Sequence, residues 1–317
     1  MEFSPKQLFI NFKNGKISKP QLIEILLSLV EKSSNQNHRE ASLKLLEKLN
    51  MDTDKIEKLF EFFENLLLSD DNPRIRILSV QFLTNNFLFQ SLPLFKWTLE
   101  HEKDYQTWVS LTRALTKINT SLSRTGLIKE LEKIGTLKYI NKQKGIRNSK
   151  FRSDITFLLN SGIINNLNQK EIAEILVNFK TISILIEKYY SVGYELTNGL
   201  VTELDLSDIQ YEVRGWKAEF KNNINRISEI NGLHNLKNLK RLDLSNNRIK
   251  SLAGLENLKS INSLYLSNNQ IGNPKELIHL KQLNLDYLDL YGNDISTQIE
   301  KTEFNRNLKI RINKFNF

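Results

Sequence analysis

The chain contains no cysteine. Disulfide staples and thiolate-bound zinc are therefore excluded as sources of stability, which fits a reducing cytosol. Its four histidines, His38, His101, His234 and His279, are scattered and reach no metal-binding spacing such as H-E-x-x-H. No run of about 18 apolar residues occurs, so no segment reads as a membrane span. The start, Met1-Glu-Phe-Ser-Pro-Lys, has neither the basic head nor the apolar core of a secretory signal. Few of the 12 glycines lie outside turns, and they form no phosphate-cradling loop and no nucleophile elbow. These absences lead to the expectation of a non-catalytic, cytoplasmic chain with no cofactor, no metal, no membrane contact and no small-molecule substrate.

What is present is ample apolar content, 40% over 317 residues, enough for two domains rather than one undivided core. The net charge is +9. The excess is spread over both halves without an arginine-rich tail. Such a balance permits acidic partners or nucleic acid without demanding either.

Three segments near the C-terminus repeat one another: Leu239-x-x-Leu242-x-Leu244-x-x-Asn247-x-Ile249, Ile261-x-x-Leu264-x-Leu266-x-x-Asn269-x-Ile271 and Leu285-x-x-Leu288-x-Leu290-x-x-Asn293-x-Ile295. Their spacing is 22 residues (242 to 264) and then 24 (264 to 288). The connecting stretches share the form Ile-x-x-Ile/Leu-x-Gly-Leu-x-x-Leu, at Ile227–Leu236 and again at Ile249–Leu258. This pattern resembles the leucine-rich repeat, and the 22-residue unit resembles its protein-phosphatase-regulatory class. The resemblance implies a solenoid with a concave parallel sheet, short 3₁₀ or helical backs, and a general role in binding proteins.

Within such a repeat Asn247, Asn269 and Asn293 are expected to be structural, their amides satisfying backbone groups left open by each strand. Gly193–Leu206 reads as a β-hairpin turning on Asn198-Gly199, its second arm supplying the first strand of the curved sheet. Residues 208–224 are either an insertion in the first repeat or a degenerate strand near Phe220. The alternating tail from Phe304 through Leu308, Ile310 and Ile312 to Phe317 is expected to cap the open end.

The first half is helical. Ser18-x-Pro20-Gln21 reads as a capping box opening Leu22–Leu29, and Ile56, Leu59, Phe60, Phe63 and Leu67 mark one face of another helix. Asn35–Ala41 and Asp70-Asp71-Asn72-Pro73-Arg74-Ile75-Arg76 are related turns. Arg39 and Arg76 lie 37 residues apart (39 to 76). The second turn resembles that of a HEAT repeat, in which an Asp-x-Pro segment ends one helix and an arginine opens the next. The expected architecture is thus α+β, built of repeat solenoids. A HEAT-like α-solenoid fills 1–130, a helical connector 131–190 and a leucine-rich-repeat domain 191–317.

Two surfaces are candidates for function. On strands, residues between the leucines face outward, which selects Asp205, Arg241, Asp243, Tyr265, Tyr287, Asp289 and Tyr291 as partner-binding positions. Exposed tyrosines are apt interface anchors, and aspartates in one column predict an acidic strip suited to a basic protein. The second candidate is Leu137–Ser153, which carries Lys138, Lys142, Lys144, Arg147, Lys150 and Arg152, no acid, and the aromatics Tyr139 and Phe151. Cations for phosphates and rings for bases make it a possible nucleic-acid contact loop, as in a ribonucleoprotein component. A linker hinged at Gly145 is the alternative. By family resemblance alone, regulation of a phosphatase or small GTPase is a further expectation.

Overall fold

The computed structural model describes residues 4–49, 56–136, 145–189, 192–209, 211–214, 217–220, 224–295 and 308–312. The chain divides between Ile128 and Lys129 into a helical unit and a second unit that joins the 131–190 segment to the repeat sheet.

The first unit is a series of antiparallel helix pairs: α1 (Pro5–Lys13), then α2 (Lys19–Lys32) with α3 (Gln36–Lys48), α4 (Ile56–Ser69) with α5 (Pro73–Asn86), and α6 (Leu92–His101) with α7 (Tyr105–Ile118). Sequence punctuation sets the boundaries. Ser18 and Gln21 form the expected capping box, Asn72 accepts from the Arg74 N–H, and Pro73 sits in the first turn of α5, where its missing N–H costs nothing. Asp54-x-x-Glu57 has the sequence form of a capping box for α4, but Asp54 lies outside the described residues. The second helices pack in sequence, α3 on α5 and α5 on α7. Phe63 stacks on Phe82 in this core, with ring centroids 3.7 Å apart.

The two arginines interlock the turns. Arg39 donates to the Val30 carbonyl and pairs with Asp70 of the next turn. Arg76 makes two 3.0 Å bonds to Glu102 of the turn after that, and a 2.7 Å bond back to the Asp70 carbonyl. All four side chains are largely buried. The spacing of 39 and 76 therefore has a physical reason: each cation satisfies the acid one turn further along.

Helix α8 (Ser121–Thr136) spans the division. In the second unit, α9 (Gly145–Asn160), short α10 (Ile163–Asn166) and α11 (Gln169–Lys188) precede a six-stranded sheet. Its order is β1 (Gly193–Thr197), β2 (Leu200–Asp205), β5 (Arg241–Asp243), β6 (Ser263–Tyr265), β7 (Tyr287–Asp289) and β8 (Lys309–Arg311). Only the β1–β2 pair is antiparallel, and it turns on Asn198 and Gly199 at φ 53° and 78° as expected of Asn-Gly. Leu204, Leu242, Leu264 and Leu288 are in register and fully buried, each contributing about 1.5–3 kcal/mol. The 3₁₀ turns at Ile227–Glu229, Leu233–Asn235, Leu255–Asn257 and Pro274–Leu280 form the back.

Because β2 pairs directly with β5, residues 208–224 supply no strand to this sheet. They hold a separate hairpin, β3 (Tyr211–Arg214) and β4 (Lys217–Phe220), so the irregular stretch is an insertion. Residues 309–311 continue the sheet as a parallel strand beside β7, while Phe304, Phe315 and Phe317 lie outside the described residues. The other end is closed by α11, whose Asn178 side chain accepts the Val201 N–H at 2.9 Å. Lys188 donates to the Glu229 carbonyl at 2.6 Å, and Lys237 pairs with Glu174 at 3.0 Å. Among the described residues no helix is long and apolar enough to cross a membrane.

Candidate partner-binding face

Strand register arranges the outward residues in rows. One row runs Glu203, Arg241, Ser263, Tyr287, Lys309, and the next Asp205, Asp243, Tyr265, Asp289, Arg311. All seven sequence-selected positions lie on this stretch of sheet or directly after it. The structure groups six of them into two clusters and leaves Asp205 outside both.

In the first cluster Arg241 lies 4.7 Å over the Tyr265 ring, and Tyr265 meets Tyr287 at 5.1 Å with planes tilted by 42°. The same guanidinium bonds Glu203 at 3.3 Å and stands 3.7 Å from Asp243. Burial opposes its charge, but Tyr265, Glu203 and Asp243 outweigh that effect and hold it above its ordinary pKa. In the second cluster Arg311 lies 4.7 Å over the Tyr291 ring and bonds Asp289 at 3.1 Å. Tyr291, 46% exposed, is thus matched with Arg311 rather than with the other two tyrosines.

The acidic strip is a correction. Each aspartate accepts the backbone N–H two residues on: Asp205 from Ser207 at 2.8 Å, Asp243 from Ser245 at 3.0 Å, and Asp289 from Tyr291 at 3.0 Å. Asp289 is only 3% exposed. These carboxylates close the chain's turn out of each strand, and Asp243 and Asp289 also face arginines, so the row is no continuous acidic strip and Asp205 is its exposed acid.

Asn247, Asn269 and Asn293 form the expected ladder. Asn269 Nδ2 donates to the carbonyls of Leu244, Leu266 and Ser267, and its Oδ1 accepts the Ile249 N–H at 2.9 Å. Asn293 does the same for Leu266, Leu290 and Ile271. Asn247 donates to Leu206, Leu244 and Ser245, but its buried Oδ1 has no partner among the described residues.

Sequence reasoning missed two features. Lys309 and Arg311 belong to the strand face, and the signal was available, since Ile310 stands 22 residues beyond Leu288 (288 to 310) and pairs with it. A second ladder runs Asp208, Asn246, Asn268, Gly292, all at positive φ. Asn268 donates to Asn246 at 2.7 Å and Asn246 to Asp208 at 3.3 Å. A Cβ at residue 292 would lie 2.1 Å from Asn268 Oδ1, which is why the last member is glycine.

The basic stretch divides. Lys138, Lys142 and Lys144 lie outside the described residues, as does the side chain of Arg147, although α9 already begins at Gly145. Phe151 is wholly buried and meets Phe179 edge to face, so it offers no surface to a base. Lys150 lies 3.3 Å from Asp154 and 3.7 Å from Glu195, over the Tyr194 ring. The Tyr194 hydroxyl donates to Asp154 at 2.8 Å, fastening α9 to β1. Arg152 remains on the surface beside exposed Phe157.

Residues 237–279 match the family model of Leucine Rich repeats (2 copies). No curated protein and no solved structure matches the chain. The C-terminal part of the chain therefore contains a leucine-rich-repeat region, of the kind that generally mediates protein–protein interaction.

Proposed function

We propose that the protein is a non-catalytic adaptor whose strand face binds a partner protein. The observation that carries this reading is the Arg241–Tyr265–Tyr287 cluster, three large side chains in which Tyr265 touches each of the other two on an outward sheet face. Arginine and tyrosine are typical interface anchors, and side chains already ordered in the free state lose less entropy on binding. The helical unit reads as a HEAT-like series because Arg39 and Arg76 bridge successive turns, and the repeats as the 22-residue class because of their 3₁₀ backs. A cytoplasmic setting and a role beside a phosphatase or small GTPase are extensions of the same reading. Replacing both Tyr265 and Tyr287 by alanine should abolish affinity capture of the partner while the melting temperature stays unchanged. Capture that survives the double replacement overturns the reading.

A nucleic-acid role keeps one supporting observation, the exposed Arg152–Phe157 surface of α9. Retention of RNA or DNA that weakens steeply between about 50 and 200 mM salt would favour it. No retention at low salt would remove it.

A further inference from the structure

The strand face is electrically polarised from one edge to the other. At the β1–β2–β5 side stand Glu195, opposite Glu203 in register, together with Asp205 and Asp243, four acids against Arg241 and the Lys150 that lies 3.7 Å from Glu195. At the far edge Asp289 is buried and neutralised by Arg311, leaving Lys309 as an exposed cation beside Arg311. Between the two ends lie the paired rings of Tyr265 and Tyr287. Arg241 already lies over the Tyr265 ring, so a partner cation gains little there. It is drawn instead to the β2 edge, and a partner carboxylate to the β8 edge.

Resting on the docking reading above, we propose that the occupant is an extended segment of a partner protein lying across the strands. It places a lysine or arginine over Glu203 and Asp205, an apolar residue on Tyr265 and Tyr287, and an aspartate or glutamate over Lys309 and Arg311. The geometry sets its length. From β2 to β8 there are four strand spacings, about 19 Å, which is about six extended residues. A nucleic-acid strand fits poorly, because its evenly spaced phosphates would meet Glu203, Asp205 and Asp243 at one end.

The test uses the full chain and fluorescein-labelled six-residue peptides with blocked termini and leucine at the centre. One peptide carries lysine at one end and aspartate at the other, one lysine at both ends, and one aspartate at both. Fluorescence polarisation should rank the mixed peptide tightest, by roughly two- to fivefold for each matched end. Lys309→Glu, at an exposed position, should weaken the mixed peptide and strengthen the double-lysine one. Equal affinities, no measurable binding, or a double-lysine peptide tightest on the unaltered chain each overturn the proposal. The Tyr265→Ala/Tyr287→Ala chain separates the two levels. If it loses peptides that bound regardless of charge pattern, docking stands and the charge order falls. If peptide binding ignores the tyrosines, the docking reading falls too. A labelled single-stranded oligonucleotide that displaces the mixed peptide overturns it in favour of a polyanion.

Discussion

Asparagine at 269 is held by four hydrogen bonds in a buried position; alanine there strands the Ile249 N–H, while the Leu244, Leu266 and Ser267 carbonyls each keep another donor. Unsatisfied buried groups are costly, so Asn269→Ala should lower stability by about 2–3 kcal/mol in urea unfolding. Asn247→Ala should cost less, since Asn247 Oδ1 receives no donor. Equal losses would contradict the ladder as described. Gly292→Ala is expected to destabilise through both its positive φ and the nearby Asn268 amide. Adding Asn268→Ala should relieve the second cause, so the double variant should be less impaired than the two singles summed, as a double-mutant cycle would measure. The first ladder was legible because identical letters recur at fixed spacing. The second was not, because its members differ in type (Asp, Asn, Asn, Gly) and share only a backbone conformation.

Among elements, the turn arginines have the clearest energetic role. Glu102→Ala would leave the Arg76 guanidinium buried without its acid and would remove the acceptor of the Asp104 N–H. Breaking a buried pair from one side costs about 3–5 kcal/mol, so a clear fall in melting temperature is expected, larger than for the exposed change Arg74→Ala. Helix positions could be read from the sequence since caps and apolar spacing are local signals. Which acid answers each arginine could not, because Asp70 and Glu102 are distant in sequence and differ in type. The same limit explains the strand face. Alternation is the signal that sets Leu204, Leu242, Leu264 and Leu288 inward, but it does not reveal that Asp205, Asp243 and Asp289 turn back to bind main-chain N–H groups. Nor did it place β8, whose leucine position is filled by Ile310.

At the scale of the molecule, the absence of cysteine means that unfolding should be indifferent to reducing agents. Its alkaline limit should be set by two phenols. Burial raises the pKa of Tyr189, with Glu229 adding to it, and burial together with the Asp154 bond raises that of Tyr194. A phenol whose folded pKa exceeds its unfolded value of 10.0 supports the fold fully below that pH and less as pH rises beyond it. Stability should therefore decline above about pH 10, and Tyr189→Phe with Tyr194→Phe should flatten the decline in a series of urea melts. An unchanged slope would mean that these phenols do not set the limit. The two-part organisation could be read from composition and repeats, whereas the joining of the 131–190 segment to the sheet depends on side chains such as Asn178 that resemble any other helical residue.

The asparagine ladder is also a rule for growth. Asn269 and Asn293 each take an N–H from the coil before and donate both to that coil and to their own, so a copied 22-residue unit placed between β5 and β6 meets partners of the kind it needs. The rule stops at Asn247, where the 208–224 hairpin intervenes and one amide oxygen is left open. Each added unit would carry Lys309 and Arg311 one strand further from Glu203, in steps of about 4.8 Å. The sheet is a ruler graduated in strands, and the length of segment it measures can be changed only by whole marks.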